Sequence, residues 1–251
     1  MDRARLSAIA HRWHPVAAPV SDDAVDRLLA RLAPPGRRAG TALDLGCGPG
    51  SWLLTLLGAH PSLEGVGVDV AAPAIEEARD RAAMAGLVGR AVFVEVDAAT
   101  WEGEPADVVL CVGAVHAFGG TAGALAAVRR HLRPGGRVLF GDGFWESGPS
   151  EAALAGLQAE PGELPDLPGL LTEVARAGFE PGYGHVSTPA EWDEYEWCWT
   201  GALTEWALSE APDDAEREQA LGAARTHRRQ WLEGYRGQLG FLTVVLHDTR
   251  A

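Results

Sequence analysis

Leu43-Asp44-Leu45-Gly46-Cys47-Gly48-Pro49-Gly50 joins a short apolar run to a stretch of helical patterning. A glycine-rich turn at such a junction lets a ligand approach the backbone without Cβ interference. Upstream, 41–45 reads as a strand, and downstream, 51–58 reads as a helix. The same rhythm continues outward. Runs rich in Val, Leu and Ala recur at 65–69, 91–96, 107–112 and 137–141, with helical stretches at 73–85 and 121–132 between them. That alternation belongs to βαβ units and a parallel sheet. Arg133-Pro134-Gly135-Gly136 reads as a sharp turn from the last of these helices into the fifth strand.

Beyond the fifth strand, 142–168 is rich in Gly and Pro and reads as a loop with a short helix at 151–158, followed by an amphipathic helix at 169–177. A sixth strand is expected at 179–187 and a seventh at 241–247, where Phe241, Thr243, Val244, Val245 and Leu246 are strand-prone. Between them lies an insertion, 188–238, with Trp192, Tyr195, Trp199 and Trp206 at near-helical spacing and a polar helix after Pro212. The expected fold is α/β: a doubly wound sheet of seven strands, the last antiparallel, with a helical insertion before it. One domain over 1–251 is anticipated, with cap helices in 1–38, a core at 39–187, the insertion at 188–238 and the last strand in 239–251.

The chain has 251 residues, 47% of them hydrophobic, enough for one substantial core. Its 21 Lys and Arg against 35 Asp and Glu give a formal charge of -14, a field that repels nucleic acid and acidic membranes. The three cysteines, Cys47, Cys111 and Cys198, are widely separated, which suggests neither a disulfide framework nor a zinc site. No secretory signal pattern and no long apolar run are evident, so a cytoplasmic location without membrane or nucleic-acid partners is expected.

Three strand ends carry one acid each: Asp44, Asp69 and Asp97. In a doubly wound sheet these ends line the carboxyl edge, where ligands bind. Asp69 is placed to accept from both hydroxyls of a ribose, and Asp97 to accept from an adenine amine while the neighbouring amide donates to the ring. A dinucleotide-binding dehydrogenase is the main rival, but its third glycine would fall at Ser51.

The combination of Asp44-x-Gly46-x-Gly48-x-Gly50, Asp69, Asp97 and Leu132-Arg133-Pro134-Gly135-Gly136 resembles the class I S-adenosylmethionine-dependent methyltransferases over nearly all of 39–144. The resemblance implies a Rossmann-like fold with S-adenosyl-L-methionine as cofactor. It assigns the amino acid part of that cofactor to Gly46, Cys47 and Gly48 beside Asp44 and Gly50, the ribose to Asp69 with Val70, and the adenine to Asp97 with Ala98. Cys111, Val112 and Gly113 would contribute backbone nearby. More narrowly, His14-Pro15, Val112-Gly113-Ala114 and Glu191-Trp192-Asp193-x-Tyr195-Glu196 resemble a bacterial group whose methyl acceptor is open.

Methyl transfer from a sulfonium needs alignment, desolvation and, for some acceptors, a base. Cys111-Val112-Gly113-Ala114 stands where amide and adenine N-methyltransferases of the family carry Asn/Asp-Pro-Pro-aromatic. Metal-dependent types need more carboxylates than Asp142 and Glu146, so no metal is expected, and a nucleophilic Cys47 is disfavoured. What remains is the oxygen, nitrogen or sulfur of a small molecule. His116 is the candidate general base, with a loop-shaping role as its alternative. His14, Asp142, Trp145, Tyr195 and Trp199 are candidate acceptor contacts, although aromatics along one helical face more often pack on the domain. Arg225 to Arg229, with His227, reads as a solvated helix face. A cofactor-binding regulatory or partner subunit without turnover is the alternative function; an aminopropyl transferase is disfavoured by the lack of acids in 112–118. Oligomeric state is open.

Overall fold

Central strands of a parallel sheet lose their polar alternation because both faces are buried. The computed structural model, which describes residues 1, 3–14, 16–32 and 40–249, shows this in β1 (Gly40–Leu45) and β4 (Ala106–Val112), whose middle residues are all buried. Pro15 lies outside the described residues. β1 leads through α3 (Ser51–Ala59) to β2 (Leu63–Asp69), and α4 (Ala72–Met84) leads to β3 (Ala91–Glu95). After β4, α5 (Thr121–His131) precedes β5 (Leu132–Trp145). β6 (Phe179–Val186) and β7 (Leu239–Asp248) complete a seven-stranded sheet of order β3-β2-β1-β4-β5-β7-β6. The ladders from β3 to β5 are parallel. β7 slots between β5 and β6 and runs antiparallel to β6, the arrangement expected for the last strand.

The fifth strand departs from its expected limits of 137–141. It begins at Leu132, which pairs with Ala106, and the ladder resumes only at Arg137 opposite Val108. Arg133-Pro134-Gly135-Gly136 is therefore a bulge within β5 rather than a turn ahead of it, with Gly135 at φ 71°. Asp107 holds the bulge in place. Its buried carboxylate accepts from the Arg133 guanidinium at 3.1 Å and from the Thr41 amide at 2.9 Å. At its other end β5 runs on to Trp145, whose amide donates to the Pro165 carbonyl at 2.9 Å.

Contacts divide the chain into two compact units. The sheet unit comprises Ser21–Asp142, Pro168–Val186 and Phe241–Ala251. It carries α2 (Asp22–Leu29) and α7 (Leu167–Arg176) with the helices of the βαβ crossovers. Its core gathers Leu45, Leu53, Leu56, Ile75, Val109, Val128, Leu139 and Phe140, each at most 1% exposed.

The helical unit comprises Met1–Val20, Gly143–Leu167 and Ser187–Gly240. It holds α1 (Arg3–His11), α6 (Glu151–Leu157), α8 (Pro189–Ser209), α9 (Asp214–Arg229) and a π-helical turn, Gln230–Tyr235. α8 starts at a capping box. The Thr188 hydroxyl accepts from the Glu191 amide at 3.2 Å, and Glu191 accepts in return from the Thr188 amide at 2.8 Å. Ala10, Leu203, Trp206, Ala207, Ala220 and Ala224 form one apolar cluster, and Trp145, Ala153, Trp231, Tyr235 and Leu239 form another. Among the described residues no helix is long and apolar enough to cross a membrane.

Phe140 lies at 0% exposure on β5. Truncation to Phe140→Ala is expected to lower the free energy of unfolding by about 3–5 kcal/mol, measured by urea denaturation.

Candidate active site

The order of strands reverses between β1 and β4, and a doubly wound sheet leaves a crevice at that point, outside the carboxyl ends of its strands. The glycine turn 46–50 sits there. The amides of Gly46 and Cys47 both donate to the Val68 carbonyl at 2.9 Å, and the Gly48 amide donates to Asp69 Oδ2 at 2.8 Å. The turn is thus tied to the end of β2 by three hydrogen bonds. Gly46 has φ 75°, and a Cβ on it would come within 2.5 Å of Ala114 Cβ. Gly48 has φ 51°, and its missing Cβ faces open space. Gly50, also left-handed, is the residue from which α3 departs.

Asp69 is half-buried and its second oxygen accepts from the Ala71 amide at 2.8 Å. Val70, beside it, is 72% exposed. Asp97 is exposed at the end of the third strand and accepts from the Ala99 amide at 2.9 Å, capping a short 3-10 turn whose first residue, Ala98, is buried. Val112 is half-buried at the end of β4 and Gly113 is exposed just past it, while Cys111 is buried within the strand.

Asp44 is the unusual member of the set. Its carboxyl is 3% exposed and accepts from the Leu53 backbone, yet Oδ2 has no hydrogen-bond partner among the described residues. Burial, with Asp69 adding like charge, pushes it up to about 8. A buried carboxyl with one oxygen unmatched, next to an open glycine backbone, suits a cationic ligand group. The residues present therefore fit the amino acid end of S-adenosylmethionine. Cys47 and Cys111 are raised well above the ordinary thiol range by burial and by the neighbouring acids, so neither supplies a thiolate.

His116 falls in a 3-10 turn, Val115–Phe118, directly after β4, with its side chain exposed. Asp142 is 4% exposed in the sheet unit and accepts from the Thr121 hydroxyl at 2.7 Å.

Residues 42–136 match the family described as Methyltransferase domain. The chain is 31% identical to the Escherichia coli (strain K12) protein YjhP over 219 residues, 85% of this chain and 86% of the relative. A solved methyltransferase from Geobacter sulfurreducens, in complex with S-adenosyl-L-homocysteine, superposes with TM-score 0.85 at 28% identity, covering 96% of this chain and 97% of that one. This chain is a class I S-adenosylmethionine-dependent methyltransferase. A second methyltransferase structure, from Thiobacillus denitrificans and in complex with the same ligand, gives TM-score 0.85 at 28% identity over 98% and 99% of the two chains.

The methyltransferase carries four of its expected acceptor contacts in the helical unit. His14 and Tyr195 are brought together: their rings stack at 4.3 Å and 15°, and His14 Nε2 donates to the Tyr195 carbonyl at 2.9 Å. Burial lowers the pKa of His14, and its Nδ1 has no partner among the described residues. His11 Nδ1 donates to the Ser7 carbonyl at 2.9 Å, which leaves Nε2 to accept from the Tyr195 hydroxyl at 3.1 Å. Trp145 joins the cluster around Trp231 and Tyr235. Trp199 instead stacks on His227, at 3.8 Å and 19°.

That last contact corrects the reading of 225–229 as a solvated face. Arg225 is exposed, but His227 turns inward and donates to Glu196 at 2.7 Å. Glu196, 2% exposed, also accepts from the Tyr235 hydroxyl at 2.7 Å. Nothing in the spacing of Glu196, His227 and Tyr235 pairs them, because they come from different helical segments. The one local signal is an acid set between two aromatic residues of α8, Tyr195 and Trp197.

Asp44 makes a stability prediction for the cofactor-free protein. Its folded pKa lies above the unfolded value, so the folded state retains a proton that the unfolded chain gives up between about pH 4 and about pH 8, and stability falls as pH rises across that window. Asp44→Asn cannot lose a proton. Its stability relative to the wild type is therefore expected to rise between about pH 5 and about pH 8 in urea unfolding, and a constant difference would refute the assignment.

Proposed function

We propose that the protein transfers the methyl group of S-adenosylmethionine to an oxygen, nitrogen or sulfur atom of a small-molecule acceptor. The observation that carries the reading is the edge where unmatched Asp44 Oδ2, the open Gly48 backbone and the Asp69 carboxylate lie at the carboxyl ends of the adjacent strands β1 and β2. Asp44 and the Gly46–Gly48 turn would hold the amino acid end, with Gly50 setting the turn's exit. Asp69 and Val70 would flank the ribose. Asp97 and the Ala98 amide would take the adenine edge, and Cys111, Val112 and Gly113 would form the wall beside it.

Bound there, the cofactor supplies a methyl group on a sulfonium that leaves by in-line displacement. The chain's part is to orient the acceptor, exclude water and accept its proton where one is released. His116 is the base assigned to that proton, since it follows β4 on the same edge and its ring is exposed to an incoming molecule. His14, Trp145, Tyr195 and Trp199 are assigned to acceptor recognition, together with Asp142. The charge of -14 supports a small acceptor over a polyanion.

Two variants and one assay test this. Asp69→Ala is expected to weaken S-adenosylhomocysteine binding at least about tenfold in calorimetry, the loss of hydrogen bonds to a charged acceptor. His116→Ala should lower kcat by about 100-fold or more while leaving cofactor affinity unchanged. Methyl-labelled cofactor incubated with a bacterial metabolite extract should pass label to a compound of low molecular mass. Cofactor binding without any transfer would instead identify a subunit that binds the cofactor and does not turn over.

A further inference from the structure

The helical unit contains a cavity of about 370 Å³ that the chemistry above does not use. Its size lies within the range of small-molecule pockets. Trp192, Trp231 and Tyr235 bring three aromatic residues to its lining, and Leu239 adds an aliphatic one. Tyr235 offers no hydroxyl to a guest, because that group is committed to Glu196 at 2.7 Å. Two of the charges nearby are committed to each other. Arg236 and Asp193, both in the lining, form a bidentate pair at 2.9 and 2.8 Å. Glu146, the remaining ionisable group in the lining, is exposed and repels anions.

Two of the lining residues carry donors that lack partners. The Ser187 hydroxyl and the Trp192 indole N–H are buried and have no hydrogen-bond partner among the described residues. Buried donors left unmatched carry a desolvation cost that a guest oxygen would relieve. Ser187 follows β6 directly and Trp192 lies in the first turn of α8, so the capped start of that helix fixes both.

We infer that this cavity is a binding site for a neutral, ring-sized molecule carrying a hydrogen-bond-accepting oxygen, which stacks among Trp192, Trp231 and Tyr235 and accepts from Ser187 or Trp192. Ring faces supply the contact area, and the closed Arg236–Asp193 pair leaves neither charge available to an ionic guest. The inference is independent of the methyl-transfer reading, since all these residues lie in the helical unit.

Three probes that share one ring and differ in charge test it on the full chain: benzamide, benzoate and benzyltrimethylammonium, titrated calorimetrically. Benzamide is expected to bind saturably and at least about fivefold more tightly than either ion, the factor lost with one unmatched polar contact. Trp192→Phe keeps the ring and deletes the N–H; Ser187→Ala deletes the hydroxyl. At least one of them should weaken benzamide binding about threefold to tenfold, with the melting temperature reporting that each variant is folded. No saturable benzamide binding to the wild-type chain, equal or tighter binding of a charged probe, or unchanged benzamide affinity in both variants overturns the proposal.

Discussion

The Gly48 amide donates to the Asp69 carboxylate at 2.8 Å, and the shape of the carboxyl edge follows from that bond. It fastens the glycine turn after β1 to the acid that ends β2, so the first connection cannot close over the crevice. The Val68 carbonyl takes the two preceding amides and leaves the turn with no alternative path. Left-handed glycines are required because the backbone must reverse within a few residues while Ala114 sits against Gly46. An L side chain at Gly46 would displace the segment that follows β4, and with it the position of His116.

Holding two acids so close has an electrostatic consequence. Burial, and then the like charge of Asp69, hold the Asp44 carboxyl well above the usual carboxylate range. Burial of that carboxyl beside a second acid therefore strains the edge electrostatically. The apolar strands β1 and β4 beneath it supply the rigidity that sustains the strain.

The helical unit is organised around a different buried acid. Glu196 gathers Tyr235 and His227, and His227 in turn carries Trp199 on its face. Satisfying one carboxylate thereby fixes three aromatic rings from three helical segments. Tyr195, raised in pKa by burial and by Glu196, keeps its proton and serves as a platform for His14. Polar partners give these rings a single arrangement that apolar packing alone would leave loosely specified.

Short-range rules made much of the chain legible. Period, turn chemistry and the placement of glycines located β1 to β4, α3, α4 and α5, and the acids at the strand ends marked the carboxyl edge. The cofactor followed from the family resemblance that this local pattern carries, because a glycine turn, a strand and an acid are each set by neighbours in sequence. The bulge in β5 was not legible: whether Arg133-Pro134-Gly135-Gly136 precedes a strand or interrupts one depends on Leu132 finding Ala106 and on Asp107 holding Arg133. Nor was the inward turn of His227, whose partner lies 31 residues away. Sequence by itself determined the succession of strands and helices, and through the family resemblance the class of cofactor, since each is signalled by residues close together in the chain. Tertiary structure alone decided which aromatic rings line a cavity and which polar atoms stay unmatched, because those depend on side chains that only the completed packing brings within hydrogen-bond reach.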